Sequence, residues 1–194
     1  MMIQLGLKFI AVIAIALPIW LVVRRPWKRF EDKSCNNFCV TKVREICLAL
    51  FVLFMSGLLV LTLDGSYLAP SDMLQRAQSR IVSGKNINVV PFCTIKRFFT
   101  RFTMETFLIN IVGNVVMFLP WGFGVVLLWK RNQTIWRVVG WSFLLTASIE
   151  TCQLFIGRSV DIDDLILNFF GSCIGAVLYF IVQKKFPQIK KLAQ

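Results

Sequence analysis

Residues 149–168 read IETCQLFIGRSVDIDDLILN. Glu150 ends a long apolar run, and Arg158, Asp161, Asp163 and Asp164 follow within fifteen residues, before a second apolar run begins. A charged side chain placed at mid-bilayer costs roughly 2.5–3.5 kcal/mol on insertion scales, and less toward the interface. Charge gathered between two apolar blocks therefore marks either a site or a joint between helices.

The wider composition sets the environment. Of 194 residues 57% are hydrophobic, and the mean hydropathy is +0.69; soluble domains lie nearer 45–50% apolar. The apolar residues come in blocks of about 17–25, the length that crosses a hydrocarbon core of roughly 30 Å. The chain is expected to be an all-α integral membrane protein with five spans, at about 3–23, 46–63, 107–128, 138–156 and 165–182. The first contains Pro18 and is followed, not preceded, by Arg24, Arg25, Lys28 and Arg29. A signal peptide has the opposite order, so this block reads as a retained span.

Net charge is +12. Its basic residues flank the apolar blocks, which points to topology and anionic lipid rather than nucleic acid. Counting Lys and Arg gives 14 on the side of the 24–45 loop, the 129–137 loop and the tail, against 8 on the other. That places the N-terminus outside and the C-terminus inside. The polar stretch then faces outside. Histidine is absent, which removes the commonest general base and transition-metal ligand. Cys35 and Cys39 form a lone C-x3-C without partners for a zinc site.

The long outer loop carries TIKRFFTRFTM at 94–104. Ile95, Phe98, Phe99 and Phe102 recur at i, i+3, i+4 and i+7, with Lys96, Arg97 and Arg101 on the other side. The spacing predicts an amphipathic helix lying in the interface, in contact with lipid.

Helical periodicity gathers further polar residues near the outer surface. Asn110 and Asn114 share a face of the third span, and Glu150 and Gln153 one of the fourth. Asp164, Asn168, Gly171 and Gly175 share a face of the fifth. Two readings stay open for this cluster: helix-joining contacts, or a binding or catalytic cavity with an acidic excess. Glu150 and Arg158 form the natural ion pair. Asp161, Asp163 and Asp164 could hold a divalent cation through oxygen ligands, although no cofactor is required. Gly171-x3-Gly175 would let helices approach closely, and Pro120 should bend or unwind the third span.

NIVGNVVMFLPWGFG at 110–124 and the stretch from 149 to 178 resemble the VanZ-like family of bacterial membrane proteins. The resemblance rests on Asn110, Gly113, Asn114, Phe118, Pro120, Gly122, Glu150, Gln153, Arg158, Asp161, Asp164, Asn168, Gly171 and Gly175, and NVVPFCTI at 88–95 also fits. It divides the chain into 1–85 with two variable spans, a three-span core at 86–182, and a basic cytoplasmic tail at 183–194. It implies a bacterial cell membrane location. The founding activity of the family is resistance to teicoplanin and related lipoglycopeptides, without an established mechanism.

The leading functional reading is therefore non-enzymatic. The binding residues would be Asn110, Asn114, Glu150, Gln153, Arg158, Asp161, Asp164 and Asn168, engaging a lipoglycopeptide antibiotic, a lipid or a lipid-linked wall precursor. The alternative is an intramembrane enzyme acting on a lipid, with Glu150 or Asp164 as general acid or base.

Overall fold

A computed structural model of the chain describes residues 10, 38–64 and 69–193. The expected span at 3–23 lies outside the described residues, except Ile10. Among the described residues, four helices are long and apolar enough to cross a membrane. These are α1 (Phe38–Thr62), α4 (Met104–Leu128), α5 (Ile135–Ile156) and α6 (Ile162–Lys185). The last three spans begin three residues earlier than hydropathy placed them and α1 eight, because polar first turns such as Asp163-Asp164 are already helical.

The long loop is largely helical. Pro70 at the first turn and left-handed Gly84 (φ 65°) after the last bound α2 (Pro70–Ser83). Then come a two-residue strand β1 (Ile87–Asn88) and α3 (Cys93–Arg101). β1 pairs in parallel with β2 (Val160–Asp161), Ile87 opposite Val160 and Asn88 opposite Asp161. This bridge breaks the all-α description at two residues per strand and ties the long loop to the turn between α5 and α6.

The tightest helix pair is α4 with α6. A Cβ at Gly171 would meet the Val115 carbonyl, one at Gly175 the Leu119 carbonyl, and one at Gly122 the Ser172 carbonyl. With no lateral hydrophobic drive in lipid, such backbone approach supplies dispersion contact instead. Phe118, Val126, Ala176 and Tyr179 are fully buried around this seam. α1 leans on α4 through Phe51, whose ring occupies the space left by Gly124.

Pro120 does not unwind α4, which stays helical from Gly113 to Leu128. The irregularity lies upstream, in a π turn at Leu108–Val112. Proline frees the carbonyl four residues before it, at Val116, so it is not the cause of that π turn.

The two ends of the bundle differ in charge. The end holding the α4–α5 turn and the C-terminal tail has nine basic residues and one acid, Glu45; the end with α2, α3 and the α5–α6 turn has seven of each, among described residues.

Candidate functional site

At the charge-balanced end, one end each of α1, α3, α5 and α6 converges. The last carbonyls and first amides of helices have no partner within their own helix. Where such an end is buried, another segment must supply one. The polar side chains of the opening stretch are placed to supply it.

α5 ends at Gly157 in the left-handed conformation (φ 82°), and the Arg158 amide turns back to the Gln153 carbonyl at 3.0 Å. Arg80, reaching over from α2, completes this end. Its Nη1 donates to the carbonyls of Gln153 (3.3 Å) and Leu154 (2.8 Å), and its Nη2 to those of Asn86 (3.1 Å) and Arg158. A cation at a helix C-terminus also meets the negative end of the dipole. Burial, and then Arg76, push the Arg80 guanidinium below its ordinary pKa.

Gln153 and Arg158 perform the same service for α1. Gln153 Nε2 donates to the Thr62 carbonyl at 2.8 Å, and Arg158 Nη1 to those of Leu61 (3.0 Å) and Asp64 (3.3 Å). The expected Glu150–Arg158 ion pair is not formed. Gly157 turns the chain so that Arg158 extends toward α1, while Glu150 Oε2 accepts the Asp161 amide at 3.2 Å.

The aspartates bind amides. Asp161 caps its own helix by accepting the Asp163 amide at 2.9 Å. It also accepts Asn88 Nδ2 (2.9 Å) and Thr94 Oγ1 (2.6 Å). Asp163 is fully buried. It caps α3 from outside that helix, accepting the amides of Phe92 (2.5 Å), Thr94 (2.7 Å) and Ile95 (3.0 Å). Asp164 accepts Asn114 Nδ2 at 2.9 Å, joining α4 to α6.

Asp161, Asp163 and Asp164 do not converge as the suggested cation site: Asp161 and Asp163 spend both oxygens on N–H and O–H donors, Asp164 turns one to Asn114, and among the described residues no three acidic, Cys or His side chains group around a metal position. Asn110 does not join the cluster through a side-chain bond. It sits in the π turn, and its Nδ2 returns to the Thr106 carbonyl at 2.7 Å.

What remains open is small. Asn168 Oδ1 is buried without a partner. Asp164 lies one turn before it on the same face. Glu150 and Asp164 each accept one hydrogen bond through a single carboxylate oxygen, and Asp164 acts on Glu150 at electrostatic range. Asn168 Oδ1 and the second oxygens of Glu150 and Asp164 are acceptors, and beside the open Asn168 Nδ2 they suit a partner with N–H and O–H donors or a cation.

Lys96, Arg97 and Phe99 on α3, and Phe102 just after it, are exposed, Phe99 by 68%. Phe98 packs on Phe102 with ring centroids 5.0 Å apart, and Phe99 on Phe107 at 4.4 Å. Arg101 closes the helix. A helix exists at Cys93–Arg101, but it ends one residue before Phe102, the fourth apolar position of the spacing, which is in extended backbone. Two residues escaped the sequence reading, Arg80 and the capping role of Asp163; Arg80 had a signal, since Pro70 and Gly84 bracket a helix that brings it here.

The family model VanZ/LLP1 matches residues 46–183, which takes in most of α1 as well as the three core spans. No curated protein and no solved structure matches the chain.

Proposed function

The chain belongs to the VanZ/LLP1 family, and from that premise we propose that it is a non-enzymatic, multi-pass protein of a bacterial cell membrane whose charge-balanced end faces outside. There it alters how an amphiphilic ligand meets the cell surface. That ligand is a lipoglycopeptide antibiotic of the teicoplanin type, a membrane lipid or a lipid-linked wall precursor. Orientation is supported by the charge contrast, since basic residues collect on the cytoplasmic side. The observation that carries the binding reading is the set of acceptors left open at the site, centred on the buried, unpartnered Asn168 Oδ1. The exposed aromatic and basic residues of α3 beside it suit lipid at the same surface. Most polar groups here are already committed to helix ends, which favours binding over acid–base turnover.

The test is expression in a teicoplanin-susceptible bacterium, with inhibitory concentrations measured for teicoplanin and for vancomycin. A rise for teicoplanin alone, lost in Glu150→Gln, supports the reading. No change for the wild-type protein overturns the antibiotic as ligand.

A further inference from the structure

The opposite, basic end contains a cavity of about 520 Å³ that plays no part in the site above. It is lined by Trp121, Val125, Trp129, Arg131, Asn132, Arg137 and Trp141, so three of the chain's six tryptophans meet there. No acidic residue lines it.

The cavity is graded along the bundle. Arg131, Asn132 and Arg137 lie in or next to the turn between α4 and α5. Trp121 lies eight residues from Trp129 on α4, about 12 Å deeper at 1.5 Å per residue, and Trp141 is about 6 Å deeper than Arg137 on α5. The mouth is cationic and the floor aromatic. Its walls are held in place: Trp121 Nε1 donates to Ser142 Oγ at 3.2 Å, and Phe51 contacts Trp121 and Trp129 with centroids 5.8 and 5.5 Å away. The polar groups, by contrast, are unspent. Arg137 uses one nitrogen, Nη1, on the Arg131 carbonyl (2.5 Å). The Arg131 guanidinium, the Asn132 side-chain amide and the indole N–H groups of Trp129 and Trp141 make no hydrogen bond among the described residues. Two guanidiniums recognise phosphate oxygens in fork geometry, while indoles favour the boundary between head groups and chains.

We propose that this cavity binds one anionic phospholipid of the leaflet at the basic end, its phosphate held by Arg131 and Arg137 and its glycerol and upper chains packed on Trp121, Trp129 and Trp141. The volume fits a head group with the start of its chains, within the roughly 300–1,000 Å³ of ordinary ligand pockets. This site is independent of the outward function proposed above.

The test uses the full-length protein in nanodiscs of phosphatidylcholine doped with phosphatidylglycerol, with bound lipid counted by native mass spectrometry after gentle release. One retained phosphatidylglycerol is expected. The double variant Arg131→Gln and Arg137→Gln should lower its occupancy at least tenfold, about the effect of one lost charge-assisted contact. Lys190→Gln with Lys191→Gln removes the same charge from the exposed tail and should change occupancy less than about twofold. Trp141→Leu keeps every charge and should weaken retention several-fold, which guards against reading a misfolded arginine variant as a binding defect. Equal retention of phosphatidylcholine, equal loss in both double variants, or displacement of the lipid by millimolar inorganic phosphate would each overturn the proposal.

Discussion

Asp163 and Thr94 are 69 residues apart, yet the buried Asp163 carboxylate accepts the Thr94 backbone amide at 2.7 Å. The first turn of α6 thereby caps the first turn of α3. α3 has no side-chain cap of its own, and its preceding residue, Phe92, is held at φ 62°. Removing the carboxylate orphans three amides, each worth about 1–3 kcal/mol when buried and unsatisfied. Asp163→Ala should therefore lose about 3 kcal/mol or more, and Asp163→Asn less, since one oxygen stays. Hydrogen exchange at residues 92–95 is the check. Protection there unchanged in Asp163→Ala would refute the cap.

Arg80 gives a second prediction from the same logic. Four carbonyls from three segments share its guanidinium. Lysine offers a compact point charge without the fork, so Arg80→Lys cannot span them. A loss of about 2–4 kcal/mol is expected from the several charged hydrogen bonds it breaks. Thermal unfolding in detergent would show it. A melting temperature equal to wild type would mean that Arg80 is incidental to the α5 terminus.

Glycine substitutions separate close approach from propensity. At Gly175 an added methyl would meet the Leu119 carbonyl and the Phe123 amide nitrogen, backbone that cannot step aside. At Gly140, also within a spanning helix, it would meet nothing within 4 Å. Gly140→Ala should be neutral or stabilising by up to about 1 kcal/mol, the helix-propensity gain. Gly175→Ala should destabilise by about 1–3 kcal/mol, the usual cost of overpacking. Equal melting temperatures for the two variants would remove the α4–α6 seam as the cause.

These contrasts show what the sequence can carry. Gly171-x3-Gly175 and the polar face with Asp164 and Asn168 are local patterns, and helical period places them correctly. The α3 helix was legible from the spacing of Ile95, Phe98 and Phe99 for the same reason, while its end before Phe102 was not. The partner of Glu150 was not legible, because it depends on the direction the chain takes after Gly157 and on a guanidinium arriving from α2. Opposite charges eight residues apart suggested an ion pair, while unmet backbone groups at helix ends decided the geometry instead. The π turn at Asn110 likewise has no period of its own to read.

Orientation is open to direct chemistry. In a variant lacking native cysteines, Ser159→Cys at the α5–α6 turn should react with an impermeant thiol reagent on intact cells. Gln188→Cys in the tail should react only after permeabilisation. Both positions are exposed, so access depends on the side of the membrane. The reverse pattern would move the acceptor-rich site to the cytoplasm and the tryptophan cavity to the outer leaflet.

Glu150 and Asn168 allow structure and function to be separated within the site. Glu150 spends Oε2 on the Asp161 amide, 3.2 Å away. Glutamine can offer its carbonyl there and turn its NH₂ to the open side, so Glu150→Gln keeps the shape and the cap but converts a free acceptor into a donor. Asn168 Oδ1 has no partner to lose. Replacing an unsatisfied buried group by an apolar one of similar size is nearly neutral or stabilising, so Asn168→Leu should melt at or above the wild-type temperature. If the acceptors exist to meet a donor-rich ligand, both variants remain folded and both lose the teicoplanin response. If they serve packing alone, both remain folded and keep it. Loss of folding in Glu150→Gln would show that its charge, rather than its acceptor, holds Asp161. The decisive measurement is therefore paired, melting temperature beside inhibitory concentration in the same two variants, and stable protein with unchanged resistance would overturn the binding site.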